Sequence, residues 1–98
     1  MDRRTAIASL VRHSAEPRRR GVQGLYLFGS VARGQAGAES DIDLFYDYRH
    51  DGHFSLFDIL DVQEFVQGIL GRKADVVPRN CLHRRIRARA EAEAIQVF

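Results

Sequence analysis

Ninety-eight residues give room for one small hydrophobic core, so a single domain over residues 1–98 is expected. The apolar share of 45% and charged share of 29% are those of a globular chain, and no apolar run approaches the roughly 20 residues of a membrane span. The net charge of +2 is too small to argue for nucleic-acid binding, and the one cysteine, Cys81, excludes an internal disulfide and a cysteine zinc site. The basic residues are biased: 14 of the 15 are Arg and only Lys73 is Lys. Arginine binds phosphate and carboxylate in a planar fork, which suits a phosphate ligand or an acidic partner.

Met1-Asp2-Arg3-Arg4-Thr5 leads into an amphipathic pattern rather than the apolar stretch of a signal peptide. Together with the lone cysteine this fits a cytoplasmic protein. Residues 3–15 read as a helix with Ile7, Leu10 and Val11 at helical spacing and Asp2 as its cap. Pro17 is expected to end it, leaving Arg18-Arg19-Arg20 as a basic linker. Val22 to Phe28 reads as a buried strand, ending at Gly29-Ser30. A short helix is expected over Val31-Ala32-Arg33, then a small polar loop from Gln35 to Ser40 and a second strand from Asp41 to Tyr48. Ser55-Leu56-Phe57-Asp58 has capping-box form and opens a long helix, with Leu56, Ile59, Leu60, Phe65, Val66, Ile69 and Leu70 expected on its inner face and Gly71 at its end. Lys73 to Val77 reads as a third strand. Asn80 is expected to cap a last helix with Leu82, Ile86 and Ala90 facing inward and its arginines outward. Ile95 to Phe98 fits a terminal strand or a helix end. The sum is an α/β (α+β) layer in which helices cover one face of a small sheet and carboxylates lie on the other.

The chemistry concentrates in two places. Asp41 and Asp43 stand two residues apart in an apolar run, so on a strand they share a side, about 6.6 Å apart. Like charges on a half-buried surface repel and lose hydration, and a divalent cation relieves both problems. Upstream, Gly29-Ser30 at a strand-to-helix turn has the form of a phosphate cradle, with Arg33 one helical turn on. Asp75, between apolar residues of the third strand, supplies a third carboxylate. Three carboxylates on neighbouring strands can hold two Mg²⁺ ions about 3.5–4 Å apart, one on a triphosphate and one activating an attacking hydroxyl. Asp75 would bind the second metal or take the proton itself. The reaction class is nucleotidyl transfer by in-line attack at the α-phosphate. A P-loop is excluded because Gln35-Ala36 stands where Lys-Ser/Thr is needed, and the Asp-x-Asp lacks the rest of a calcium loop.

Leu27-Phe28-Gly29-Ser30-Val31-Ala32-Arg33-Gly34, then Ser40-Asp41-Ile42-Asp43-Leu44, then Asp75-Val76-Val77, resembles the DNA polymerase β-like nucleotidyltransferase superfamily. Within it the chain is similar to the minimal nucleotidyltransferases, the MNT antitoxins of HEPN–MNT toxin–antitoxin pairs. The one departure is mild: Ala38-Glu39 precedes Ser-Asp where a proline is common. The resemblance implies a polymerase β-like fold, Gly29 and Ser30 on the triphosphate of ATP, and Asp41, Asp43 and Asp75 on Mg²⁺. It further implies adenylyl transfer to a tyrosine of a HEPN ribonuclease, which silences that toxin. The short chain leaves no room for an acceptor domain, so the acceptor is expected on a partner protein, docked through the Arg-rich last helix or an open sheet edge. The competing readings are an antitoxin that neutralises by binding alone and a small-molecule nucleotidyltransferase.

Overall fold

The structure, a computed structural model, describes residues 1–35 and 41–98. Its elements run α1 (Arg3–Arg12), α2 (Ala15–Arg20), β1 (Val22–Phe28), α3 (Gly29–Ala32), β2 (Ile42–Tyr48), α4 (Leu56–Leu70), β3 (Ala74–Pro78), a 3-10 turn (Arg79–Cys81), α5 (Arg84–Glu93) and β4 (Ile95–Gln96). The expected polar loop from Gln35 to Ser40 lies, except for Gln35, outside the described residues.

The four strands form one mixed sheet in the order β3-β2-β1-β4. β1 pairs antiparallel with β2 and β4, and β2 pairs parallel with β3 through the α4 crossover. Strand alternation sorts the faces. Leu25, Leu27, Ile42, Leu44, Tyr46, Ala74 and Val76 join Ala6 and Leu10 of α1 and Val62, Val66 and Leu70 of α4 in the core. The opposite face carries Tyr26, Phe28, Asp43, Phe45, Asp47 and Asp75, in register across β1, β2 and β3. α1 and α4 cover one face of the sheet as expected, but the carboxylate face is not free of helix: α5 lies beside it, with Ala90 buried and Glu91 held by Arg79. The terminal segment, which sequence left open between strand and helix end, is strand β4 at the β1 edge.

Several local expectations change. Pro17 does not end a helix: it is the buried third residue of α2, where its missing N–H is no loss because the first turn has no internal acceptor. Arg18, Arg19 and Arg20 are accordingly the last turn of α2 and not a linker. Glu16 pairs with Arg19 and, at 3.2 Å, with Arg20, which also reaches Asp61 of α4 at 2.8 Å. α4 meets the core through Val62, Val66 and Leu70; Leu56 and Leu60, expected inside, are exposed together with Phe57. The capping box at its start does form, with the Ser55 N–H donating to Asp58 Oδ2 at 2.8 Å. Replacing Asp58 with Ala should cost about 1 kcal/mol and lower Tm by about 4–8 °C, readable by thermal denaturation. α5 is capped by His83, whose Nδ1 accepts the Arg85 N–H, and not by Asn80, which sits in the 3-10 turn.

Both outer edges of the sheet are short, and at β3 the N–H groups of Ala74 and Val76 are accepted by the side chains of Gln67 and Gln63 of α4. That edge is less open than its sequence suggests. On the carboxylate face, Arg79 forms a roof. Its guanidinium bonds both oxygens of Asp47 at 2.9 and 3.0 Å and Glu91 of α5 at 2.7 Å, while lying over the rings of Tyr26 and Phe45. Arg79→Ala should cost about 2 kcal/mol, lowering Tm by about 10 °C, and Lys should not rescue it because it lacks the planar fork. Among the described residues no helix is long and apolar enough to cross a membrane.

Candidate active site

β1 ends where Gly29 turns the chain into α3. Gly29 holds φ +79°, and a Cβ added there would overlap the Asp43 carboxylate and stand 3.3 Å from the Asp43 Cβ. The glycine is needed twice, for the left-handed turn and for the close approach of backbone to carboxylate. Phe28 lies opposite Asp43 in the antiparallel register, which brings the turn over β2. α3 is held from behind by Arg3 of α1, whose Nη1 donates to the Ala32 carbonyl at 2.9 Å.

Asp43 and Asp75 face each other across the parallel β2–β3 pair. Asp43 is half-buried beneath the Gly29 turn. Loss of hydration, then the charges of Asp75 and Asp41, push its carboxyl up from the ordinary range. Asp75 is exposed. Asp41 stands just before β2, not within it as the sequence suggested, with its half-exposed carboxylate 4.0 Å from Lys73 Nζ.

Among the described residues no three His, Cys, Asp or Glu side chains stand ready as a metal cage. The chemistry of the donors nonetheless fits one. All are carboxylate oxygens, the hard ligands that suit Mg²⁺, and the repulsion focused on Asp43 is what a cation would relieve. Asp43 with Asp75 and Asp41 could hold such an ion.

Ser30 is half-buried in α3, next to Gly29. Arg33 points to α5 as well as to its own loop: its Nη1 meets Glu93 Oε2 at 2.8 Å and its Nε donates to Gln35 Oε1 at 3.0 Å. The other oxygen of Glu93 accepts the Gly29 N–H at 2.9 Å. These bonds, the one from Arg33 above all, hold the Glu93 carboxyl below its usual range. A cavity of about 250 Å³ opens here between Gly29, Arg33 and the face of α5 that carries Arg85, Arg89 and Glu93. Sequence reading missed Glu93 and treated these arginines as an outward face. The signal was present in the four-residue spacing of Arg85, Arg89 and Glu93, which puts them on one helix stripe. What it lacked was the knowledge that this stripe packs beside Gly29. Ile86, expected in the core, lines the same cavity and is half-exposed.

A model of the nucleotidyltransferase domain matches residues 11–97. A candidate protein adenylyltransferase of Methanocaldococcus jannaschii is 36% identical over 62 residues, which cover 63% of this chain and 62% of that protein. Protein adenylyltransferase MntA of Thermococcus cleftensis is 34% identical over 74 residues, covering 74% and 73%. The match thus spans a little under two thirds of the first relative's length. Among solved structures, a candidate minimal nucleotidyltransferase superposes with a TM-score of 0.81 at 33% identity, covering 97% of this chain and 95% of that one. The complex of a tri-AMPylated Shewanella oneidensis HEPN toxin with its MNT antitoxin matches with a TM-score of 0.65, covering 94% and 71%. At 15% identity that likeness is one of fold. The match over residues 11–97 and the shared architecture agree: this chain belongs to the nucleotidyltransferase domain family, on the polymerase β-like fold of the minimal nucleotidyltransferases.

Proposed function

We propose that this chain is a Mg²⁺-dependent protein adenylyltransferase, working in the cytoplasm as one domain over residues 1–98 and as the antitoxin to a HEPN ribonuclease. The observation that carries this reading is the seating of Gly29 on Asp43, with Asp75 in register beside it. That juxtaposition brings a close-approach backbone turn and a strained carboxylate pair to one spot. The toxin–antitoxin setting rests on the named relatives, of which one is a protein adenylyltransferase and another an MNT antitoxin bound to a HEPN toxin.

In this reading Gly29 and Ser30 hold the triphosphate of ATP, and Arg33 leans on it. Asp41 and Asp43 would hold the metal, with Asp75 as a further ligand or as the proton acceptor; when bound, the metal would screen the phosphates and acidify the acceptor hydroxyl. A tyrosine hydroxyl of the partner attacks the α-phosphorus. The new O–P bond forms as the α–β bridging P–O bond breaks, and pyrophosphate leaves. Asp75, exposed at the sheet edge, receives the hydroxyl proton where it is not itself a metal ligand.

The test is to incubate the chain with isotopically labelled ATP, Mg²⁺ and its HEPN partner and to weigh the partner. Addition of AMP to a partner tyrosine is expected. One observation favours the binding-only reading: the Gly29 N–H and Arg33 are already engaged by Glu93. Full neutralisation of the partner without ATP, and without mass gain, would establish that reading instead.

A further inference from the structure

The carboxylate of Glu93 sits where an anion would bind. It takes the Gly29 N–H with one oxygen at 2.9 Å and the Arg33 guanidinium with the other at 2.8 Å. Both donors belong to the turn packed against Asp43, and a carboxylate accepts from them in the manner of a phosphate. Glu93 comes from the last turn of α5, sixty-four residues along the chain from Gly29. Local chain geometry therefore does not impose the contact.

The surroundings carry more positive charge than Glu93 neutralises. Arg33, Arg85 and Arg89 all line the cavity of about 250 Å³ between the turn and α5, against this one carboxylate. Arg89, one helical turn before Glu93, also acts electrostatically on it. A carboxylate carries one charge and two acceptor oxygens. A polyphosphate carries several of each, and can engage the turn and the arginine stripe of α5 at once.

We propose that this cavity is the subsite for the β- and γ-phosphates of the nucleotide, that Arg89 and Arg85 bind them, and that Glu93 is a built-in occupant which the polyphosphate displaces. The proposal rests on the nucleotidyl-transfer reading and adds two things to it. α5 becomes part of the nucleotide site. The free protein holds that site closed with its own side chain, so nucleotide affinity is set by an exchange of one anion for another. Removing the competitor should tighten binding, whereas removing an arginine should weaken it.

Calorimetric titration of the full chain, without partner, with Mg²⁺–ATP and separately with inorganic tripolyphosphate tests this. Glu93→Gln keeps the shape and the acceptor oxygen but removes the charge, and should tighten both ligands about three- to tenfold. Arg89→Ala, at an exposed position where folding is not at risk, should weaken both by about as much. Tripolyphosphate reports the subsite without the base, so parallel changes in the two ligands locate the effect at the phosphates. Measurable Mg²⁺–ATP binding that is unchanged by Glu93→Gln, or by Arg89→Ala, would overturn the proposal while leaving the nucleotidyl-transfer reading in place. Absence of Mg²⁺–ATP binding in the wild type and in both variants would defeat that reading, and this one with it.

Discussion

Asp43→Asn should abolish nucleotidyl transfer and at the same time raise the melting temperature of the metal-free protein. The first effect follows from position. Asp43 alone of the three carboxylates is half-buried against Gly29, with Asp75 and Asp41 bearing on it electrostatically. An amide of the same shape cannot supply the negative charge that a cation needs. The loss of several kcal/mol of charge stabilisation corresponds to a rate reduction of about a thousandfold or more. The second effect follows from the same crowding. The Asp43 carboxyl titrates above its ordinary value of 3.8, so the folded chain holds that proton more tightly than the unfolded chain. Stability from this group is full below the ordinary value and is lost as pH rises through the raised one. Asn never ionises and escapes that loss. Melting curves in EDTA should therefore place the variant above the wild type at pH 7 and show the difference closing at acid pH. A variant that is inactive because it is unfolded would melt lower at pH 7, and that outcome would remove Asp43 from its proposed role.

Gly29→Ala should damage both stability and transfer, for a reason separable from charge. The left-handed backbone costs an L-residue about 1–2 kcal/mol, and the new methyl would also collide with the Asp43 carboxylate. Either the turn or the carboxylate must shift. A loss of about 2 kcal/mol or more, with Tm lower by about 10 °C, is expected, together with a fall in transfer beyond what the unfolded fraction explains. Gly34→Ala is the control. Gly34 has φ +72°, nearly the same strain, but an added Cβ there meets nothing within 4 Å. It should lose stability through strain alone and keep its transfer rate when folded. Equal transfer losses in the two variants would show that the approach to Asp43 is irrelevant.

The exposed Leu56, Phe57 and Leu60 show why pattern reading overreaches on α4. Helical periodicity finds an apolar stripe but not how much of it meets a neighbour. Here the helix docks by its second half, where Gln63 and Gln67 reach β3 and Val62, Val66 and Leu70 enter the core. The first two turns run past it. The misjudged Pro17 has a similar origin. A proline breaks a helix interior and suits a helix start, and only the turn at residues 13–14 reveals that a second helix has begun.

The sequence by itself determined the three main strands and the capping box, while it left the terminal strand open and missed the break between α1 and α2. Alternation and cap spacing act over a few residues, where chain geometry leaves little choice. It also determined that Asp43 and Asp75 would share a face, because each sits between core-facing neighbours on its strand. Only the tertiary structure decided that Gly29 closes directly on Asp43, and that Glu93 holds the Gly29 amide and Arg33. Those contacts join elements that are remote along the chain, and their geometry depends on how α3 and α5 settle against the finished sheet. No local periodicity carries that information.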